Sequence, residues 1–431
     1  MPFEQPFSGR RHVAVVGGGI SGLGAAWRLG SDHRVTLFES APRLGGHART
    51  LVAGRSGDQP VDTGFIVFNH VNYPHLTALF EELQVPIAKS SMSFGASFNN
   101  GQLEYSVQSI DALFAQRRNL IHPAFMRLVR DLVYFNNNAL AAADDPSMTV
   151  AQLLAKLGTS DWFRDYYLLP FSGAIWSTPR SQVMDFPAYA MIQFFKNHGL
   201  LGKKHMHQWY TVKGGSTQYV SRLTAELKRQ AVDLRTNAGV HSVRRAPDGV
   251  HVKTAGADWE RFDEVVFATH SDVTLSLLDD PSATESTALG QIKCQPNTVT
   301  LHCDPSVMPK RRKVWSSWNY TETTEGSEAL DLTYWMNSLQ PIPKDDPHFV
   351  TLNDPGRIRE DLIYDQTTMR HPVYGPGVLE AQDLLKTNNG TNRTWFCGAW
   401  MRNGFHEDGL ASAVSVADGI RRTAQMPVAA E

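Results

Sequence analysis

Apolar and polar positions follow an α/β pattern at the start of the chain. Two short runs, a valine-rich one at residues 12–16 and a second that contains one valine at residues 34–38, are typical of strands that a parallel sheet buries on both faces. Between them the apolar residues recur at helical spacing, at Ile20, Leu23, Ala26 and Leu29. The pattern therefore predicts a strand–helix–strand unit and an α/β fold.

The pattern changes twice further along the chain. From about residue 92 to residue 207, aromatic and aliphatic residues at helical spacing predict a mostly helical region. Such an aromatic stripe fits a packed core, or in part the lining of an apolar tunnel. Between about 294 and 377 alternation returns and predicts an antiparallel sheet. Short strands are predicted between these two regions, at residues 232–234, 239–246, 249–254 and 263–269.

A glycine motif joins the first strand to the first helix. Gly17, Gly19 and Gly22 form the pattern G-x-G-x-x-G. Gly17 permits the tight turn, Gly19 lets a pyrophosphate approach the backbone, and Gly22 lets the helix pack closely on the strand. Glu39 ends the second strand, at the spacing where a carboxylate accepts the hydrogen bonds of an adenosine ribose. Together these residues predict a dinucleotide site; the alternative is a glycine-rich turn in an ordinary α/β unit.

Two further segments resemble those of a known family. They contain Arg43, Gly45 and Gly46 in PRLGGHART, and Asp62 and Gly64 in DTGF. They are similar to the second glycine pair and the D-x-G segment of the FAD-containing amine oxidase and phytoene desaturase superfamily. The resemblance implies FAD rather than a nicotinamide dinucleotide, with Arg43 neutralising a phosphate or ribose edge and Asp62 beside the flavin. Val240 and Val243 match positions that approach the adenine in that superfamily.

The carboxy-terminal segment WFCGAWMRNGFHEDGLASA, residues 395–413, also resembles the superfamily. It is typical of a strand, a loop and then a helix whose N-terminus points at the pyrimidine end of the flavin, where reduced flavin carries negative charge. The resemblance assigns cofactor contacts to Gly398, Gly409 and Leu410. Ala399 stands where the superfamily usually has an acid, and Glu407 or Asp408 is the candidate to replace that acid.

The resemblance covers nearly the whole chain and implies its domain organisation. The expected fold is a discontinuous, glutathione-reductase-like FAD-binding domain of Rossmann type, with an α+β substrate domain that includes a helical cap. The FAD-binding domain is expected at residues 11–90, 208–290 and 391–425. The substrate domain is expected at residues 91–207 and 291–390.

Within the superfamily the chain is similar to oxidoreductases often encoded beside methyltransferases of the cyclopropane fatty acid synthase type. The segments that carry this likeness are IWSTP, residues 175–179, and GFHEDGL, residues 404–410. The likeness implies that a modified or unsaturated fatty acyl chain of membrane lipid gives a hydride to the flavin, which dioxygen or a quinone reoxidises. It also implies a lipid methyltransferase as partner.

Three alternative functions remain open at this point. A flavin amine oxidase would release hydrogen peroxide. A redox-neutral isomerase would move a double bond along a fatty acid without net oxygen uptake. A flavin-binding protein without catalytic activity would act as the partner of a lipid methyltransferase.

Residues with catalytic chemistry are few. The catalytic candidates are His270 at the end of the strand DEVVFATH, and Trp400 and His406 in the carboxy-terminal segment, although a strand-end histidine is more often a loop residue. An amine oxidase needs an aromatic cage at the flavin, for which Trp400 and Tyr210 are the candidates. Lys213 is interpreted as a surface residue beside a turn rather than as a flavin contact. No spacing of histidines, cysteines or acids predicts a metal site.

Composition and charge limit which partners and which cellular compartment are expected. The 41 basic and 43 acidic side chains nearly balance, so nothing predicts a nucleic-acid partner. Three cysteines without a C-x-x-C pair indicate neither a disulfide framework nor a redox dithiol, and they favour a reducing compartment. No apolar run is long enough for a signal peptide or a membrane span, so the expected location is the cytoplasm.

One basic run is the candidate for contact with a membrane. Lys310 to Lys313 reads KRRK and is flanked by Trp315 and Trp318. Such a run is usually a solvated loop, and that interpretation is favoured. The alternative is a peripheral contact with anionic lipid at the inner membrane, at about 1 kcal/mol per basic residue. The sequence does not determine the oligomeric state.

Overall fold

The structure is a computed structural model that describes residues 10–145, 147–176, 183–202, 207–322, 332–375 and 377–425. Part of the IWSTP segment, residues 177–179, lies outside the described residues. Within the described ranges, none of the helices combines the length and the apolar character needed to cross a bilayer.

The strands are numbered in chain order. They are β1 His12–Val16, β2 Arg34–Phe38, β3 Thr50–Ala53, β4 Gln59–Asp62, β5 Val67–Phe68, β6 Ile87–Ser90, β7 Phe94–Phe98, β8 Leu103–Ser106, β9 Trp209–Val212 and β10 Asp233–Arg235. The others are β11 Val240–Ala246, β12 Gly249–Thr254, β13 Glu260–Phe262, β14 Glu264–Phe267, β15 Lys293–His302, β16 Trp318–Glu322, β17 Leu332–Trp335, β18 Phe349–Leu352, β19 Ile363–Val373 and β20 Thr394–Phe396.

The α-helices are numbered in the same way. They are α1 Ile20–Leu29, α2 Pro74–Glu82, α3 Ile110–Leu113, α4 Pro123–Ala142, α5 Val150–Leu157, α6 Asp161–Phe163 and α7 Leu169–Trp176. The others are α8 Ala188–Asn197, α9 Thr217–Arg229, α10 Ser271–Leu277, α11 Ala283–Gln291, α12 Met336–Leu339, α13 Val378–Asn388 and α14 His406–Gln425. A π-helical turn at Arg164–Leu168 joins α6 to α7.

A five-stranded parallel sheet, in the order β10-β2-β1-β14-β20, contains the strand–helix–strand unit. Strands β1 and β2 have the bounds that the runs at residues 12–16 and 34–38 predict. Helix α1 packs on the sheet beside α14, and the core between them is apolar, with Val15, Leu23 and Val416 all fully or almost fully buried. Strands from the beginning, middle and end of the chain therefore form one sheet, and the predicted α/β fold is confirmed.

The second large sheet has seven strands, in the order β19-β15-β18-β17-β16-β7-β8. Its neighbours pair antiparallel except β16 and β7, which pair parallel. Phe94, Tyr320 and Val350 from this sheet share one core with Phe125 and Phe135 of α4. The antiparallel sheet predicted between residues 294 and 377 is therefore part of a sheet that a helical layer covers.

The region from residue 92 to residue 207 departs from the prediction of a mostly helical segment at its start. Strands β7 and β8 form a hairpin before the helices begin. The turn between them has positive φ angles at Asn99, Asn100 and Gly101, which are residue types that tolerate this conformation. Because helical periodicity dominates the long stretch, the sequence did not predict this short hairpin. The domain boundaries stay a prediction.

Candidate functional site

A continuous cavity of about 2020 Å³ lies where the two sheets meet. At one end it is lined by residues that follow the carboxyl ends of β1, β2, β14 and β20. In an open α/β sheet this edge is where ligands bind. The other end lies among helices of the 92–207 region.

The first glycine motif lies at the sheet end of the cavity. Gly17 has a φ of 109°, so the turn requires glycine here. A Cβ atom at Gly22 would overlap the Gly17 carbonyl oxygen, because helix and strand are in direct backbone contact. A Cβ atom at Gly19 would meet nothing within 4 Å, since Gly19 faces the open cavity. Gly19 is also the N-cap of α1, which has no side-chain cap.

Glu39 lines the cavity beside this motif. Its carboxylate accepts hydrogen bonds from the backbone N–H of Gly18 at 2.7 Å and of Ala41 at 2.8 Å. These bonds hold the side chain at the end of β2, in the position expected of a ribose-binding acid. A carboxylate here contributes hydrogen-bond acceptors, while the N-terminus of α1 contributes N–H donors.

The second glycine pair is held against the first motif. The Gly45 N–H donates to the Gly18 carbonyl at 2.8 Å, and Gly45 has a φ of 110°. Gly46 lines the cavity, whereas Gly45 does not. The Arg43 guanidinium also lines the cavity and donates to the carbonyls of Gly46 at 2.8 Å and Ala48 at 3.2 Å.

Asp62 does not face the cavity. Its buried carboxylate accepts from the Ser216 N–H at 2.8 Å, the Thr50 hydroxyl at 2.6 Å and the Gln340 amide at 2.9 Å. Burial raises the pKa of Asp62 to about 6 although these hydrogen bonds lower it. The Asp62 side chain therefore joins three segments of the fold, and its place beside the cofactor stays a prediction. Gly64 does line the cavity.

The two valines expected at the adenine differ in position. Val240 lines the cavity. Val243 is fully buried in the core, and its carbonyl accepts from the Asp279 N–H at 3.0 Å. A register shift in β11 between Val240 and Ser242 separates the two positions. The Val243 side chain packs in the core, and the assignment of this residue to the cofactor stays a prediction.

The carboxy-terminal segment contributes Gly398 to the cavity, but Gly409 and Leu410 lie behind it. A Cβ atom at Gly409 would lie 2.8 Å from Ser21 Oγ, and the Leu410 side chain packs where Gly24 has none. Gly409 and Leu410 therefore permit the close packing of α14 on α1, and their assignment as cofactor contacts stays a prediction.

The two acids proposed to replace the acid missing at position 399 do not line the cavity. Both Glu407 carboxylate oxygens accept backbone N–H groups at the start of α2, from His75 at 3.0 Å and from Leu76 at 2.9 Å. Asp408 accepts the Phe405 N–H at 3.0 Å. Burial raises the pKa of Glu407 to about 7 and that of Asp408 to about 6. The Glu407 carboxyl group therefore joins α14 to the distant start of α2, whereas the Asp408 carboxyl group binds backbone just before α14.

The three catalytic candidates all line the cavity. The Trp400 indole N–H donates to the Thr269 carbonyl at 3.0 Å. The His406 ring stacks on Phe65 with centroids 4.0 Å apart, and its Nε2 is hydrogen-bonded to the Tyr219 hydroxyl at 2.6 Å. His270 Nδ1 lies 3.4 Å from the Cys294 thiol.

The other aromatic and cationic candidates lie elsewhere. Tyr210 is on β9 with its ring against His70, and it is not part of the cavity lining, so it forms no cage with Trp400. Lys213 also lies outside the lining, in agreement with its interpretation as a surface residue.

Of the cavity-lining histidines that sequence reasoning missed, His47 and His371 lie in one cluster with His270. The His47 ring lies 5.9 Å from that of His270 and 5.3 Å from that of His371. Burial lowers the pKa of His47, and it lowers the pKa values of His270 to about 4 and of His371 to about 3. These rings are therefore uncharged at neutral pH. In the part of the chain that the structure describes, no such cluster qualifies as a metal site.

The far end of the cavity is lined mainly by apolar side chains, together with polar ones such as Asn136 and Lys196. Its lining includes Val129, Leu132, Phe171, Leu200 and Leu201. On α4 the aromatic stripe divides between two roles, because Phe125, Leu128 and Phe135 face the core whereas Val129 and Leu132 face the cavity. Both interpretations of the stripe therefore apply, to different side chains.

The basic run at residues 310–313 is engaged with protein groups. The Arg311 guanidinium pairs with Glu104 at 2.9 Å, and the Lys313 ammonium pairs with Asp111 at 3.0 Å. The Arg312 guanidinium lies over the Trp315 ring, 3.6 Å from its centroid, and Trp315 is itself buried. These contacts leave the tryptophan no surface to offer to a lipid.

Comparison with known proteins finds a matching family model and a curated relative. A family model described as flavin containing amine oxidoreductase matches residues 20–352. A curated relative, coproporphyrinogen III oxidase of Mycobacterium tuberculosis, is 48% identical over 77 residues. That match spans 17% of this chain and 16% of the relative.

Solved structures share the fold over nearly the whole chain. Cyclohexylamine oxidase from Brevibacterium oxydans is 16% identical with a TM-score of 0.70, covering 96% of this chain and 100% of that one. The CLA-producing fatty acid isomerase from P. acnes is 15% identical with a TM-score of 0.65, covering 96% and 98%. At this identity the likeness concerns the fold.

Proposed function

Because the chain belongs to the family of flavin-containing amine oxidoreductases and is an FAD-dependent oxidoreductase, we propose that its substrate is apolar. The proposed substrate is a modified or unsaturated fatty acyl chain of a membrane lipid. FAD supplies the acceptor for a hydride from this chain. Desaturation removes a hydride from one carbon and a proton from its neighbour, and dioxygen or a quinone finally takes up the two electrons.

The residues at the sheet end of the cavity fit FAD. Gly19 leaves open space where a larger side chain would project, and the uncapped start of α1 offers N–H groups to a pyrophosphate. The Glu39 carboxylate lies at the end of β2, where a ribose is bound in this type of fold. Arg43 supplies a positive charge on the same wall.

The continuity of the cavity is the observation that carries the proposal. The space of about 2020 Å³ extends from the cofactor residues to apolar side chains such as Leu132 and Leu201. Ligand sites for a drug-sized molecule usually occupy roughly 300 to 1,000 Å³, so this cavity has room for a dinucleotide and a further long molecule. Burial of each methylene group stabilises a bound chain by about 0.8 kcal/mol.

The uncharged histidines suit the same type of substrate. His47, His270 and His371 present polar ring atoms near the cofactor end without a net charge at neutral pH. An apolar chain therefore meets no uncompensated ion from this cluster, whose desolvation would oppose binding. The proposed role of the three rings is to define the shape of this part of the site and to exclude water from it.

Anaerobic mixing tests the proposal directly. The FAD-loaded protein is mixed with detergent-dispersed phospholipids bearing unsaturated or methylated acyl chains, and flavin absorbance is followed. We expect bleaching with these lipids and none with cyclohexylamine or other simple amines. Bleaching by amines alone would overturn the proposal in favour of an amine oxidase.

A matched pair of variants locates the substrate. Leu132→Trp fills the apolar part of the cavity and is expected to slow bleaching at least tenfold with normal flavin content. Leu379→Trp places the same residue on the exposed surface of α13 and should leave the rate unchanged. Equal rates in both variants would contradict an acyl chain in this part of the cavity.

A redox-neutral isomerase is the second candidate. The same apolar cavity accommodates its substrate, and a protein of this fold is a fatty acid isomerase. Product analysis separates the two reactions. A shifted double bond without net oxygen uptake would identify the isomerase, whereas an additional double bond with a stoichiometric electron acceptor would identify the oxidase.

A further inference from the structure

Apolar side chains are exposed along one stretch of the cap, between α3 and the end of α4. They are Ile110, Leu120, Ile121, Met126, Val133 and Leu140, which we call the mouth surface. Ile121 is 85% exposed and Ile110 is 76% exposed, which is unusual for aliphatic residues of this size. On α4 the spacing of seven residues between Met126, Val133 and Leu140 aligns them on one side of the helix.

The mouth surface coincides with the opening of the cavity. Ile110, Val133 and Leu140 belong to the cavity lining and are exposed at the same time. A side chain meets both conditions only where the cavity reaches the surface. The apolar end of the cavity therefore reaches the surface at the mouth surface, where the exposed polar residues Asn137 and Lys196 also belong to the lining.

Positive charge flanks these apolar residues. The stretch from Ile110 to Leu140 contains four arginines and two acids, within a chain whose net charge is −2. Arg117 pairs with Asp111, and Arg127 and Arg130 share Asp131, but their side chains stay 63%, 57% and 68% exposed. Four arginines against two acids leave an excess of positive charge beside the apolar side chains, and this combination complements a bilayer with anionic headgroups.

Other exposed apolar residues do not form such a surface. Val52, Val71 and Leu379 are exposed on separate elements and take no part in the cavity lining. Isolated apolar residues of this kind are normal on a protein surface, whereas a contiguous group at a cavity opening indicates an interaction site.

We propose that the mouth surface docks on an anionic lipid bilayer, so that an acyl chain passes from the membrane into the cavity without crossing water. This inference rests on the proposed function for the identity of the molecule that enters. The docking itself depends only on the mouth surface and its arginines. It assigns membrane contact to a different part of the chain from the basic run at residues 310–313.

Vesicle flotation tests the docking. The FAD-loaded protein is mixed with vesicles of phosphatidylcholine alone or with added phosphatidylglycerol, and the bound fraction is measured at low and high salt. We expect binding to the anionic vesicles, weakened by salt, and little binding to phosphatidylcholine alone. Wild-type protein that stays unbound with both vesicle types would overturn the proposal.

Paired substitutions identify the surface. Leu120→Glu with Ile121→Glu adds two negative charges to the mouth surface at residues outside the cavity lining, and it should reduce vesicle binding at least tenfold. Leu379→Glu with Leu384→Glu adds the same charge to exposed positions on α13 and should leave binding within about twofold. Flavin content and the unfolding temperature show whether both variants fold. Equal binding by the two double variants would contradict the proposal.

Two further measurements distinguish the alternatives. If light scattering shows a dimer that Leu120→Glu with Ile121→Glu dissociates, and no vesicle binding occurs, the mouth surface is an interface between two copies and the proposal fails. Turnover of detergent-dispersed lipid does not require docking. Vesicle binding without such turnover would therefore refute the proposed function alone, and turnover without vesicle binding would refute the docking alone.

Discussion

Gly22 lies directly against Gly17, so that a Cβ atom at Gly22 would overlap the Gly17 carbonyl oxygen. Three residues earlier, Gly19 faces open cavity with no atom within 4 Å of an added Cβ. The same motif therefore contains one glycine that the protein fold requires and one that the ligand requires.

Substitutions at these two glycines should have separable effects. Gly22→Ala should lower the unfolding temperature even without added FAD, because the new methyl group separates α1 from β1. Gly19→Val should leave that temperature nearly unchanged, since Gly19 has a φ of −76° that other residues adopt, and should abolish FAD binding by a clash with the pyrophosphate. Differential scanning fluorimetry with and without FAD provides the measurement. Normal flavin content in Gly19→Val would refute the cofactor assignment.

Glu39 is expected to contribute to affinity rather than to folding. Glu39→Ala removes a charged acceptor at the end of β2 and should weaken FAD binding by about 1 to 3 kcal/mol. Isothermal titration of the apoprotein measures this loss. Asp62→Asn is the contrasting variant, because Asp62 lies outside the cavity and its loss should lower the free energy of unfolding more than it lowers affinity for FAD. The reverse ranking would contradict these positions.

The Glu407 carboxyl group should make stability depend on pH. Burial raises its pKa to about 7, above the usual value near 4.5, so the folded state holds a proton that the unfolded state has lost. The stabilising effect of this bound proton is complete below about pH 4.5 and is lost as pH rises through about 7. Glu407→Gln does not titrate. Its free energy of unfolding relative to wild type should therefore rise between pH 5 and pH 8, by roughly 1 to 3 kcal/mol.

Urea unfolding of both proteins across this range checks the sign. Buried uncharged histidines such as His371 and His406 give wild type an opposite slope at lower pH, because the unfolded state gains their protons first. Glu407→Gln retains these histidines, so the difference between the two proteins isolates Glu407. A constant difference from pH 5 to pH 8 would contradict the raised pKa.

Tyr374 carries a hydroxyl group without a hydrogen-bond partner among the described residues, although it is buried beside the cavity. Tyr374→Phe should leave the free energy of unfolding unchanged or raise it by up to about 1 kcal/mol, because no bond is lost. Tyr219→Phe is the matched control, since the Tyr219 hydroxyl is hydrogen-bonded to His406. It should lower the free energy of unfolding by about 1 to 3 kcal/mol. A larger loss in Tyr374→Phe than in Tyr219→Phe would be inconsistent with this difference.

Local patterns were good predictors where one segment contains its own physical cause. Residues within about thirty positions of each other predict strands β1 and β2, the Gly17 turn and the position of Glu39. The same reasoning did not predict the hydrogen bonds of Asp62, whose partner Ser216 is 154 residues away. Nothing near Asp62 in the sequence shows that a helix start will take its hydrogen bonds.

The histidine cluster also shows that local sequence does not predict contacts between distant segments. His47 follows the second glycine pair, and that adjacency was a usable signal for a position near the cofactor. His371 has no such signal, because it reaches the cavity only through the pairing of β19 with β15. Its Nδ1 lies 2.9 Å from the Asn297 amide nitrogen across that pair.

The sequence by itself determined the α/β fold and the dinucleotide-binding motif, because glycine conformation and apolar periodicity act between near neighbours. The resemblance of further segments to a known superfamily implied FAD and the family. Only the tertiary structure decided which of the α4 side chains face the core and which face the cavity, and where the cavity opens. These outcomes depend on how the helical layer packs on the seven-stranded sheet, and that packing is set by contacts between residues far apart in the chain.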